Sequence, residues 1–221
     1  MRHFEMEMND LKSRLVEMAD LVQNMIKTTI NGLVSRDQKL SETVFGNEKE
    51  VNVQEIVIDD KCLKLIALNQ PVGADLRFIT SAMRINSDLE RMGDEAVNIA
   101  EIALDLIAYP ELKPLIDIPK MSVIVQQMVA DSIKAFNTND VELARNVLDK
   151  DDDVDDLKDI VFRDLKVYMT QSSDPQTIQR AVDLIMVARS LERIGDHATN
   201  ISEDVIFMVH GKDVRHPKNF K

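Results

Sequence analysis

The sequence predicts an all-α protein made of two pseudo-symmetric three-helix bundles. Three observations carry that expectation. The chain has 221 residues with no Trp, 4% aromatics and only six Gly and six Pro, and its abundant Leu, Ile, Val, Met, Ala, Glu and Lys favour helix over sheet. Its apolar residues recur at spacings of three and four, the seam of an amphipathic helix. Finally, LERMGDEAVNIAE at Leu89–Glu101 returns 102 positions later as LERIGDHATNISE at Leu191–Glu203, with nine of thirteen positions identical.

Taken in order, the first helix carries Leu11, Leu15, Met18, Val22 and Met25 on one seam and ends near Ser35-Arg36. Asp37 is a plausible N-cap for the second, which holds VNVQEIVID, is expected to kink at Gly46-Asn47, and stops at Asn69-Gln70-Pro71. The third begins in PVGADLR and contains the first copy of the block. Pro110, Pro114 and Pro119 then fall within ten residues, a segment that cannot stay helical throughout. The boundary is set there, giving units 1–110 and 111–221.

The second unit repeats the first at an offset of 102 to 103. Met121, Val125 and Met128 answer Met18, Val22 and Met25, Asp140 answers the cap at Asp37, and VDDLKDIVF from Val154 aligns with VNVQEIVID. Breaks are expected at Asn137-Thr138-Asn139 and Ser172-Ser173-Asp174-Pro175. Six long helices of roughly 30 to 35 residues result, each roughly 45 to 50 Å long.

Composition bounds the function. The formal charge of -12 repels phosphate backbones and anionic lipid headgroups, so nucleic acid is not an expected partner. A single cysteine, Cys62, forms no intrachain disulfide, and its apolar surroundings make it a core residue. The opening MRHFEMEMNDLK lacks the apolar stretch of a signal peptide, and no apolar run reaches the about 18 residues of a membrane span. The expected location is the cytoplasm.

A core helix has no need of the same Glu, Arg, Gly, Asp and Asn twice. At about 100° per residue, Glu90, Asp94, Asn98 and Glu101 form a polar stripe beside the apolar one, repeated by Glu192, Asp196, Asn200 and Glu203. Gly93 and Gly195 flank it, where another backbone is expected to approach closely. The middle helices add Glu48, Asn52, Glu55 and Asp59 in one unit and Asp152, Asp155 and Asp159 in the other. Side by side, these stripes would gather carboxylates that repel one another unless protonated or bridged by a hard cation. The expected sites are Glu55, Asp59, Glu90 and Asp94, and then Glu192 and Asp196 with Asp152, Asp155 and Asp159. The alternative is a solvated helix face, the usual fate of an ExxxD pair in so acidic a chain.

Catalytic constellations are not found. Carboxylate-bridged di-iron proteins use Glu-x-x-His, but the third residue after Glu90 and Glu192 is Gly93 and Gly195. His197 follows Asp196 directly and so points away from the stripe. No Ser/His/Asp set, phosphate-binding Gly loop or CxxC occurs.

The duplicated ERxGDxAxNI block, joined to EVNVQEIVIDDKCLKLIALNQPVGADLR and the ending VHGKDVRH, closely resembles the PhoU family of phosphate-uptake regulators, over nearly the whole chain. The resemblance implies tandem three-helix bundles, usually dimeric, acting in the cytoplasm beside a phosphate ABC transporter and repressing the phosphate-starvation response through a sensor histidine kinase. It implies a non-enzymatic adaptor that docks on the transporter's ATPase subunit, with at most peripheral membrane association through its partners. It also implies ExxxD pairs that hold Fe, Mn, Zn or Mg, singly or as clusters: Glu55 with Asp59, Glu90 with Asp94, and Glu192 with Asp196. A metal store, a metalloenzyme or a purely structural bundle are the competing classes. Two departures are visible. Lys158 and Phe162 stand where Glu55 and Asp59 would recur, and PVGADLR has no second copy. Asp75 and Arg77 in that segment are candidates for a partner contact, against a structural role at the helix start.

Overall fold

The computed structural model describes residues 2–214. Seven helices and no strand occur among them: α1 (Arg2–Ser35), α2 (Gln38–Asn69), α3 (Gly73–Ile107), α4 (Asp117–Thr138), α5 (Val141–Asp149), α6 (Asp151–Gln171) and α7 (Pro175–His210). α5 and α6 are one arm bent at Lys150, so each half is a three-arm bundle. The last two residues of the ending VHGKDVRH lie outside the described residues.

Local chemistry sets most helix ends. The Asp37 carboxylate accepts from Lys39 N at 2.9 Å, and Asp140 accepts from Leu143 N at 3.0 Å, satisfying first-turn N–H groups as the sequence led one to expect. Asp174 caps α7 the same way, with Pro175 in its first turn. Gly211 ends α7 at φ 67°, donating to Phe207 O at 2.8 Å. At Gly46-Asn47, where a kink is expected, α2 is continuous and has no break. It falls instead in the copy, at Lys150, which aligns with Asn47. There Lys150 N and Asp153 N bond carbonyls three residues back, the tighter turn of a bent helix.

Every seam residue named on α1, and Met121, Val125 and Met128 on α4, is fully buried. α2 and α6 pack only within their own halves, whereas α3 against α7 and α1 against α4 join the two, so one apolar core runs through both. Phe136 of α4 is fully buried and stacks on Phe78 of α3 with ring centroids 5.4 Å apart.

A polar seam edges the α3–α7 contact. Arg193 pairs with Glu95 at 2.9 Å, His197 with Asp88 at 2.8 Å, and Arg84 with Asp204 at 2.9 Å. Two cations of the first half also close helix ends of the second. Lys12 Nζ donates to Asn137 O at the end of α4 (3.0 Å), and Arg77 Nε donates to Met208 O near the end of α7 (3.2 Å). Both place positive charge at a C-terminus, the favourable pole for it.

Candidate metal centre

The third helix of each half turns its signature block so that the glycine faces the middle helix. A Cβ on Gly93 would meet Val51 Cγ1 at 3.5 Å and Met25 Cε at 3.7 Å, and one on Gly195 would meet Val154 Cγ1 and Met128 Cε at 3.7 Å. These two neighbours correspond pair by pair, so the two bundles are packed alike around the glycine, with Asp151 Oδ1 at 3.8 Å an addition in the second half. The approach is by side chains at ordinary van der Waals distance; the close backbone expected of the glycines is not what meets them.

In the first half this packing lays the α2 stripe against the α3 stripe. Burial, then the charges of Asp59 and Asp94, push the Glu55 carboxyl above its usual range. Glu90 is raised by burial and then by Asp94 and Glu55, against the opposing charge of Arg91, with a smaller push from Glu48. Asp94 is raised by burial, Glu48 and Glu95. Glu48, Glu55, Glu90 and Asp94 therefore act on one another, and no ion pair to any of the four occurs among the described residues. Glu48, one turn beyond Asn52 on the α2 stripe, belongs to this group although the resemblance did not assign it; its position seven residues before Glu55 is the signal. Asp59 lies at the edge, accepting from Asn86 Nδ2 at 3.0 Å.

The second half gathers a different set. At about 100° per residue, Asp151, Asp155 and Lys158 share one side of α6, with Asp155 still exposed, while Asp152 and Asp159 are rotated by about a quarter-turn from it and are exposed too. Asp151, the counterpart of Glu48, is raised by burial and by Asp155, Asp152 and Glu192. Asp196 is pushed up to about 6 by burial first, then by Glu192, Asp151 and Asp155. Lys158 Nζ lies 2.6 Å from Asp155 and 3.3 Å from Glu192, bridging α6 to α7.

Among the described residues, no three His, Cys, Asp or Glu side chains are gathered closely enough to hold a metal ion as they stand. The first half's donor chemistry nonetheless fits a hard cation. Its ligand atoms are all oxygen, their charges are uncompensated, and two amide oxygens beside them, Asn52 Oδ1 and Asn86 Oδ1, are buried without a partner. The second half does not fit in the same way, since Lys158 places a positive charge among the carboxylates.

The remaining candidates take structural places. Asp75 is an exposed first-turn acid of α3, and Arg77 holds the end of α7. His197 is turned from the stripe and spent on Asp88. Cys62 is fully buried, and burial, helped by the Asp59 charge, pushes its thiol up to about 12. No helix of the described residues is long and apolar enough to cross a membrane.

Comparison with known proteins bears on this arrangement. A family model described as the PhoU domain matches twice, over residues 15–103 and 118–205. A protein of Aquifex aeolicus named phosphate-specific transport system accessory protein PhoU homolog is 42% identical over 210 residues, 95% of this chain and 94% of that one. A protein of Pseudomonas aeruginosa with the same name is 38% identical over 216 residues, 97% and 88% of the two chains. Among solved structures, PhoU from Pseudomonas aeruginosa superposes with a TM-score of 0.90 at 37% identity, covering 95% of this chain and 100% of that one. A phosphate transport system regulatory protein PhoU from Streptococcus pneumoniae gives 0.88 at 26% identity, covering 96% and 99%.

Proposed function

This chain belongs to the PhoU family, carrying its domain twice, and on that premise we propose that it is an accessory regulator of a phosphate transport system. It works in the cytoplasm as a non-enzymatic adaptor between the ATPase subunit of a phosphate ABC transporter and a sensor histidine kinase, reporting phosphate sufficiency so that starvation genes stay off. The observation that carries this reading is the full-length likeness to proteins named for that accessory role. Physical support comes from the acidic exterior of a rigid bundle, which suits basic partner surfaces by electrostatic complementarity. Deleting the gene should leave a phosphate-starvation reporter on in phosphate-rich medium. Normal repression in the deletion strain, with no second copy of the gene present, would refute the reading, as would pull-downs that recover neither transporter nor kinase.

The same reading includes a divalent or transition metal in the first half, held by Glu48, Glu55, Glu90 and Asp94 with Asp59 at the edge. The ion would relieve the mutual repulsion of these carboxylates and stiffen the α2–α3 contact. What favours it is the pair of orphaned amide oxygens beside unpaired acids. Elemental analysis of protein purified without chelator should find metal that is lost in E90A/D94A. Unchanged metal content in that variant would remove the assignment.

A further inference from the structure

We infer that Lys158 is a cation built into the chain, occupying in the second half the role that a metal ion plays in the first and closing that half to metal. Three observations converge on it. Lys158 aligns with Glu55, so a ligand oxygen is exchanged for an ammonium at the equivalent place in an otherwise matching bundle. The ammonium lies 2.6 Å from Asp155 and 3.3 Å from Glu192, carboxylates on two different helices. Its side chain is only 20% exposed, so the charge is directed inward rather than left in solvent.

The physics of substitution is direct. A lysine ammonium is a compact charge with three donors on a flexible stem, which lets it join oxygens on neighbouring helices much as a small ion would. Its hydrogen bond to Asp155, then that to Glu192, push its pKa up and hold it charged. A divalent ion entering the same cluster would meet a like charge and would have to break two ion pairs. The remaining departure acts in the same direction, because Phe162 stands at the place of Asp59 and removes another oxygen. The halves thus share a fold and differ in the cation set among their carboxylates: an exchangeable ion in one, and in the other a permanent side chain that pairs with Asp155 and Glu192 while Asp151 and Asp196 stay outside its ion pairs.

The inference rests on the metal reading of the first half, and the experiment separates the two. Full-length protein stripped with chelator is titrated with Mn²⁺, free ion being followed by EPR. Wild type should bind at a site that E90Q/D94N abolishes and E192Q/D196N leaves alone. K158E should gain a second equivalent that E192Q/D196N removes. Loss of wild-type Mn²⁺ binding in E192Q/D196N, or no gain in K158E, overturns the inference. A wild type that binds no Mn²⁺ overturns the first-half reading alone, and the gain in K158E still decides the role of Lys158. If K158E does not fold, K158Q in the E90Q/D94N background replaces it. Mn²⁺ should raise its thermal midpoint and leave that of the E90Q/D94N parent unmoved; an unmoved K158Q midpoint overturns the proposal.

Discussion

Asp196 offers a direct measure of how strongly the acidic stripes strain the bundle. Its carboxyl is raised from 3.8 to about 6 by burial and by Glu192, Asp151 and Asp155, a difference of roughly 3 kcal/mol between its protonation states before solvent screening. The residue is exposed enough for solvent to screen much of that, so the effect on stability is reduced to about 1 kcal/mol. The sign follows from proton linkage. A carboxyl whose folded pKa lies above its unfolded one binds its proton more tightly when folded, so the stability it gives is full below pH 3.8 and lost as pH rises through about 6. D196N keeps the shape and removes the ionisation. In chelator, it should raise stability by about 1 kcal/mol at pH 7.5, or about 2 to 4 °C in midpoint, and by almost nothing near pH 4. Urea unfolding followed by circular dichroism at the two pH values measures both. A gain of the same size at both, or a loss at pH 7.5, would refute the electrostatic account.

Other substitutions probe the packing. G93A should stabilise by about 1 kcal/mol from helix propensity, because a Cβ there meets only ordinary contacts with Val51 and Met25; G93L should overpack and cost about 1 to 3 kcal/mol by the same unfolding assay. F136A empties a fully buried position against Phe78 and should cost about 3 to 5 kcal/mol. R77A should lower stability by about 1 kcal/mol, with hydrogen exchange quickening at the end of α7 around Met208, whose carbonyl it leaves unheld.

What was legible in the sequence was what is locally determined. Asp37 and Asp140 close turns two or three residues away, the break expected at Ser172-Ser173-Asp174-Pro175 separates α6 from α7, and the Leu11-to-Met25 seam is buried as its spacing demands. The break within the middle arm was not: α2 passes Gly46 without interruption, whereas the copy is interrupted at Lys150, with α5 and α6 both packed on α7. Glu48 and Asp151 escaped assignment for a related reason. Which side of a middle helix faces its neighbour depends on tertiary packing, and counting acids along the chain favoured Asp152 and Asp159, which the fold turns outward. The His197–Asp88 and Arg193–Glu95 pairs join residues 109 and 98 positions apart, and nothing in either local stretch names the other.

That separation also shapes how the chain assembles. Helices within a half meet across short connections, but the α3–α7 seam must close a loop of about a hundred residues, so docking of the halves is expected to come late. A duplicated chain then faces a hazard, since one first half can meet the first half of another molecule before its own second half arrives. The seam is keyed against that error. Asp88 and Glu95 lie on one side and Arg193 and His197 on the other. Because Glu95 corresponds to His197, pairing two first halves would set Asp88 against Glu95, acid against acid, although Glu95 would still meet an arginine, since Arg91 corresponds to Arg193. A single divergence in a copied helix, Glu95 in one half and His197 in the other, therefore disfavours the wrong pairing.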